Sequence, residues 1–356
     1  MIKKLTLWLH RAGQYGKILH WMKTSDSRVL LSPPSLIAAL RAGFDAIANH
    51  IALILIPIAL DLYLWFGPHL RLKQLIESVV SQLIALYSLQ EPGTTEMLQV
   101  FNNLWLQIAA QFNLFIALRS YPVGIPSLLA SASPVESPVG VPVMWEINAL
   151  VSALLVWGLI TIIGLAAGTL FFEIVSQVVL RGAVDWPQTW VRLPEKVLRV
   201  LFLSLFWASV LIGVSIPGSF IISVGSLGGP FFAQCALFLY AGLLIWLFYH
   251  LLFSPHGIFV YGYKALKSIR TSFELVRATW LGTSLFFLAV FIISTLLDRL
   301  WHVPPETSWL TLVGIVGHAF VTTGLLASSF VYYRDANRWV NSRSQRQSNV
   351  QQGYET

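Results

Sequence analysis

Between Asn148 and Phe172 the chain carries no charged residue. About 20 mostly apolar residues are enough for an α-helix to cross the hydrocarbon of a bilayer, and this block meets that length. It is too hydrophobic to face water. Five further blocks share the property, which predicts six spans: Ala46–Phe66, Ile147–Phe172, Val197–Ile216, Phe231–Phe253, Trp280–Leu297 and Ser308–Tyr333. The predicted fold class is therefore all-α, a polytopic integral membrane helix bundle of six transmembrane helices.

Composition argues the same way. Hydrophobic residues make up 56% and charged residues 11% of 356, against about 25% charged in an ordinary globular chain. The net charge of +7 would suggest nucleic acid in a soluble protein. Here the basic residues flank apolar blocks, which is the topology signal of membrane proteins. With the N-terminus inside, Arg71, Lys73, Arg119 and Arg299 are the only Lys or Arg on the outer side, while the acidic residues divide evenly. This places the protein in the cell membrane with both termini cytoplasmic. Residues 1–45 form a cytoplasmic segment in which Ile2, Leu5, Trp8 and Leu9 could lie on the membrane surface. Residues 46–333 form the membrane domain, and the polar tail 334–356 is expected to be disordered. No signal peptide fits, since Lys3, Lys4, Arg11, Lys17 and Lys23 interrupt every early apolar run.

The extracytoplasmic insert, residues 67–146, holds two amphipathic helices. One presents Leu72, Leu75, Ile76, Val79, Leu83 and Leu86 on a single face. The other presents Met97, Phe101, Leu104, Trp105, Ile108, Phe112 and Phe115. Both faces need cover, from headgroups or from the top of the bundle. Ser120–Val143 follows, with five prolines that forbid a regular helix or central strand, and reads as a flexible outer cover. On the cytoplasmic side, Ser35–Asp45, Trp186–Arg199 and Tyr261–Thr279 are amphipathic elbows leading into spans, a weak threefold pseudo-repeat.

Ala265-Leu266-Lys267-Ser268-Ile269, with Ser272 following, leads into the fifth span. Ser254–Thr295, the segment around it, resembles bacterial six-span families of unassigned function and is similar to the membrane domain attached to some glycerophosphodiester phosphodiesterases. No phosphodiesterase domain is attached in this chain, so the resemblance implies an architecture and not an activity.

Ionisable residues inside spans are the candidates for function. Asp61 follows Pro57, which deprives the Leu53 carbonyl of its donor and bends a helix. The pair fits an ion or proton site, and also a carboxylate reaching toward headgroups. His318 lies ten residues into the sixth span, about 15 Å deep; a direct pair with Asp61 would need tilt or a water between them. His50 sits one turn beyond Arg41 and Asp45, which can pair on one helix face as a neutralised helix end. Neutral histidine is cheap to bury, so packing suits both His50 and His318. Glu173, His250 and His256 gather at the inner side without a ligand spacing for metal, and Glu173 is expected to pair with basic residues of the elbows. Gly164 and Gly168 form a GxxxG that lets another helix approach closely. Cys235 is alone, so no disulfide forms within the chain.

No nucleophile elbow, metal-protease pair, phosphate loop or Cys pair is present, so no catalytic residues, metal or cofactor are expected. The leading expectation is a non-catalytic scaffold, assembly factor or partner subunit. It would work with the lipid bilayer, a membrane protein partner or a second copy, and not with nucleic acid. The alternatives are a small-solute or ion transporter or channel, and a lipid-acting membrane enzyme. A transporter predicts that Asp61 and His318 share a wet cavity. An enzyme predicts a pocket at headgroup depth with convergent ionisable groups.

Overall fold

The computed structural model describes residues 33–90, 95–132 and 134–354; the surface helix expected around Trp8 lies outside them. The chain is an all-α polytopic bundle with five helices long and apolar enough to cross a membrane. A sixth span arises if a bent pair near the start counts as one.

That pair corrects the expected span Ala46–Phe66, a single helix bent at Pro57: the break falls earlier, at His50. Helix α1, Leu36–Asn49, ends at His50. A 3-10 turn at Ile51–Ile54 leads into α2, Leu55–Phe66, and the two parts are bent by 90°. Pro57 stands in the first turn of α2, where a missing N–H costs nothing. Its ring would clash with the Leu53 carbonyl in a continuous helix, so proline starts α2 rather than kinking it. The His50 ring nitrogens lie 3.1 Å from the carbonyls of Ala46 and Gly182, which fixes the corner to the end of a later helix. Ser35 caps α1 by accepting from the Ala38 N–H.

The insert begins with β1, His69–Arg71, and a hairpin of α3, Lys73–Gln90, and α4, Thr95–Gln111. The hairpin helices pack on each other, burying Val80 and Ala109. The expected apolar faces stay largely uncovered: Val79, Leu83, Leu86, Phe101, Leu104 and Ile108 are exposed. A 3-10 turn, Leu114–Leu118, and a single helical turn, α5, Leu129–Ala132, precede β2, Met144–Glu146. Strands β1 and β2 pair in parallel with His69 opposite Met144. Asn113 ties this corner, its side-chain oxygen accepting from the N–H groups of Leu70 and Phe115.

Ser120–Val143 is not simply a flexible cover. Val123, Ile125, Leu128, Leu129 and Ala130 lie in the main core with Trp65, Leu165, Phe171 and Ile315. Sequence reasoning weighed the prolines, which exclude regular structure, and missed the apolar residues between them, which make the irregular chain worth burying.

Five long helices complete the bundle. Helix α6, Leu150–Arg181, ends at Gly182 in the left-handed conformation. Helix α7, Trp186–Leu227, fuses the second elbow to its span, with Asp185 capping its start by accepting from Gln188. Helix α8, Pro230–Leu251, returns and is followed by α9, Ser254–Tyr261. Helix α10, Ala265–Ala278, is the third elbow, breaking at Thr279 into α11, Trp280–Trp301. Helix α12, Thr311–Tyr354, runs through the polar tail expected to be disordered, which is helical as far as Tyr354.

Helix α12 is central: 56% of its apolar window is buried, against 6% for α8 and its continuation. Helix α1 crosses it at Gly43, where a Cβ would meet the backbone of Ser328, and Phe44 covers Gly324. The serines of the Ala-Leu-x-x-Ser elbow have a clear task. Ser268 Oγ donates to the Ser254 carbonyl at 2.5 Å, and Ser272 Oγ to the His250 carbonyl at 2.7 Å. These carbonyls sit at the break between α8 and α9, and a buried carbonyl left unpaired would be costly.

Candidate functional site

Two ends of the bundle can be distinguished. The basic end carries the elbows and the α6–α7 turn; the far end carries the insert. Asp61 and His318 lie at the far end, whereas His50 lies at the basic end against Gly182.

Asp61, on the second turn of α2, is fully buried. Its Oδ1 accepts from Ser127 Oγ at 2.5 Å and from the Leu129 N–H at 3.0 Å; its Oδ2 accepts from the Leu128 N–H at 3.1 Å. Ser127 Oγ in turn accepts from the Ala130 N–H at 3.0 Å. The carboxylate therefore sits at the N-terminus of α5 with the serine beside it, where free N–H groups point at a negative charge. Arg119 donates from Nη1 to the Ser127 carbonyl at 3.2 Å. Ser120 and Ser131 hydroxyls take the carbonyls of Val123 and Leu128 at 2.6 and 2.7 Å. Irregular backbone at membrane depth persists only where protein satisfies its polar groups, and these side chains do so.

The glycine pair supplies the room. A Cβ at Gly164 would meet the Leu118 backbone, and one at Gly168 would stand 2.6 Å from Gly124 Cα. The GxxxG expectation of a close α-helix is corrected: its occupants are the end of the 3-10 turn at Leu118 and the irregular chain at Val123–Gly124. An irregular backbone demands the same small residues as a neighbouring helix, so the motif could not tell them apart.

His318 does not pair with Asp61. Seven residues into α12 it is about 10 Å from the helix start, shallower than expected because the helix begins later than the predicted span. Its Nε2 faces Asp298 Oδ1 of α11 at 3.9 Å, too long for a hydrogen bond. His302 Nδ1 approaches the same oxygen at 3.8 Å and lies 2.7 Å from the Asp298 carbonyl. Among the described residues, Nδ1 of His318 is buried without a partner, as is Nε1 of Trp301. The Trp301 ring covers Gly317, where a Cβ would be 2.6 Å from it. Arg119 is near enough to act electrostatically on both Asp61 and His318.

A loop closes this end. Trp65 Nε1 donates to the Glu306 carbonyl at 2.9 Å, and the Glu306 carboxylate accepts from the Val135 N–H at 3.3 Å. Burial pushes the Glu306 carboxyl above its ordinary range, opposed by the Val135 bond and His302. Burial holds His69 below its ordinary range; its bond to the Leu64 carbonyl opposes this and Arg71 adds to it.

The remaining candidates are separate. Arg41 and Asp45 pair at 3.7 Å on an exposed face of α1. Glu173 bonds Lys196 of the second elbow, as expected, and Gln177 Nε2 at 2.6 Å. His250 stacks on Phe273 at 4.4 Å, and His256 Nε2 meets Ser329 Oγ at 2.7 Å. Among the described residues no three His, Cys, Asp or Glu side chains are grouped to hold a metal ion. Sequence reasoning missed Ser127 and Arg119. A Pro-Ser pair ahead of Leu128-Leu129 was the available signal, a serine poised to cap a helical turn.

No protein-family model, curated protein or solved structure matches the chain.

Proposed function

We propose that this chain is a non-catalytic multi-pass protein of the cell membrane, with its basic end and both termini in the cytoplasm, acting as a scaffold, assembly factor or partner subunit. One observation carries the reading: the buried carboxylate of Asp61 is fully engaged in holding the insert against the bundle. A coupling carboxylate in a transporter must exchange its partners for an ion or proton, whereas this one is saturated by the fold. The peripheral α7–α8 hairpin offers Phe202, Phe220, Phe231, Phe238 and Trp246 to lipid or to a neighbouring membrane protein. The orientation rests on the basic bias of alternate loops along the sequence.

Transport by the same bundle is the second reading, favoured by the buried, unpartnered Nδ1 of His318. Native mass spectrometry of the full chain, gently extracted from its own membranes, separates the two. A stoichiometric protein neighbour, or a second copy, is expected. A lone chain that supports solute or proton flux in proteoliposomes, with flux abolished by His318→Leu in a folded protein, would overturn the scaffold reading.

A further inference from the structure

A slot of about 250 Å³ runs along the seam between α11 and α12. His256 of α9 and Ser329 of α12 stand at one end of it, Phe286 and Phe287 of α11 form a wall, and Ser294 of α11 and Thr322 of α12 stand at the other end. Thr322 and Ser329 are separated by about 10 Å of helical rise. Both helices are apolar enough here to cross a membrane, so the slot lies at the depth of acyl chains. The proton on the His256 ring can be placed. Ser329 Oγ donates to the Leu326 carbonyl at 2.6 Å, which uses its one hydrogen. In the 2.7 Å contact between Ser329 Oγ and His256 Nε2, the ring nitrogen is therefore the donor. A second proton on the ring would put a charge into an apolar wall, so Nδ1 is a bare acceptor. Among the described residues that atom is buried and has no hydrogen-bond partner. Thr322 cannot serve, since its hydroxyl donates to the His318 carbonyl at 2.7 Å.

We propose that this slot binds a membrane-soluble molecule that carries an aromatic ring, through a phenolic hydroxyl donating to His256 Nδ1. The bare acceptor selects a guest with a donor. The lining includes no Lys, Arg, Asp or Glu, so it selects a neutral guest. The phenyl walls select a ring, since aromatic pairs gain beyond their buried area. Size agrees: an apolar cavity of about 150 Å³ already holds benzene, and this one has room for a substituted ring. An acyl chain entering from the bilayer would fill the space but leave Nδ1 unpaired, and a buried acceptor without a donor is costly. A plainer solution lies within the chain. The Tyr333 hydroxyl is also buried without a partner, and its ring centroid is 5.6 Å from that of His256. A shift that joined the two would satisfy both with no guest; as the rings stand, neither atom has a partner, and Tyr333 does not line the slot. The inference does not rest on the scaffold reading, which concerns Asp61 and the α7–α8 face.

The test uses the full chain in dioleoyl phosphatidylcholine nanodiscs, probed with para-hexylphenol, its methyl ether para-hexylanisole, and nonanol, each corrected for partition into empty nanodiscs. The phenol is expected to bind about tenfold more tightly than the ether, the worth of one hydrogen bond to a buried acceptor, and more tightly than nonanol, which has the hydroxyl and no ring. His256→Phe keeps the ring packing and removes the acceptor, so it should bring phenol and ether to equal affinity. Val290→Trp, at a residue lining the slot, should exclude both. Nitrogen NMR of labelled histidine needs no variant: the His256 Nδ1 resonance should move toward the hydrogen-bonded position with the phenol and stay in place with the ether. Tyr333→Phe should leave the preference and the resonance shift intact. Equal affinity for phenol and ether in the wild type, or nonanol bound as tightly as the phenol, would overturn the proposal. So would a folded His256→Phe that keeps the preference, or an Nδ1 already hydrogen-bonded without a probe and released by Tyr333→Phe.

Discussion

Replacing Asp61 by alanine removes the acceptor for three donors at once: the Ser127 hydroxyl and the N–H groups of Leu128 and Leu129. Each buried donor without a partner costs about 1–3 kcal/mol, which bounds the loss at about 3–9 kcal/mol. Ser127 can turn toward its own chain and a water can enter the space left by the carboxylate, so the expected loss is about 3–5 kcal/mol. Asp61→Asn retains one accepting oxygen but turns an amide N–H₂ toward donors, and should cost about 2 kcal/mol. A double-mutant cycle with Ser127→Ala should return a coupling of about 1.5–3 kcal/mol, the range for a hydrogen bond to a charged group. Unfolding of the purified chain in detergent measures the totals. A thiol introduced by Ile125→Cys, in a background with Cys235 replaced by alanine, reports the insert directly. Ile125 is 8% exposed, and the thiol's maleimide labelling should accelerate by more than about 100-fold when Asp61 is lost, since opening of the segment falls by a similar free energy. Asp61→Ala within about 0.5 kcal/mol of the parent, with the thiol still protected, would refute the argument that this carboxylate anchors the insert.

Four more outcomes follow from the same geometry. Gly168→Leu should destabilise by about 3 kcal/mol by driving into Gly124, whereas Gly158→Leu, with nothing within 4 Å of its Cβ position, should be neutral in the same unfolding assay. Ser272→Ala should cost about 1 kcal/mol by stranding the His250 carbonyl, and Ser272→Thr should recover much of it. Lys196→Met should cost about 3–5 kcal/mol because it leaves the Glu173 carboxylate buried without its cation, and adding Glu173→Leu should restore most of the loss. For Glu306, the folded pKa is raised, so its contribution is complete below the ordinary value of 4.5 and is lost as pH rises through the folded value. Glu306→Gln should therefore be more stable than wild type at pH 7, with the difference closing below pH 4.5; an unchanged difference across that range would remove Glu306 as the cause.

Six apolar blocks, their helical nature and the basic bias of one end were all legible in the sequence. Transfer of a side chain into hydrocarbon is close to additive along the chain, and the basic bias needs only counting. The amphipathic elbows were legible for the same reason, since a period of 3.6 is a local property, and the pairing of Glu173 with a basic residue of an elbow followed from charges left at one depth, though only the structure chose Lys196. Tertiary structure alone decided the rest. Whether Ser120–Val143 covers the bundle or enters it depended on an acceptor at Asp61, more than sixty residues earlier. Whether Gly164 and Gly168 received an α-helix or an irregular chain depended on which backbone arrived there. His318 faced Asp298 rather than Asp61 because α11 and α12 pack together at that height. Hydrogen bonds and close contacts are short-ranged, so their partners are set by how helices sit in space, and no periodicity along one strand of sequence encodes that.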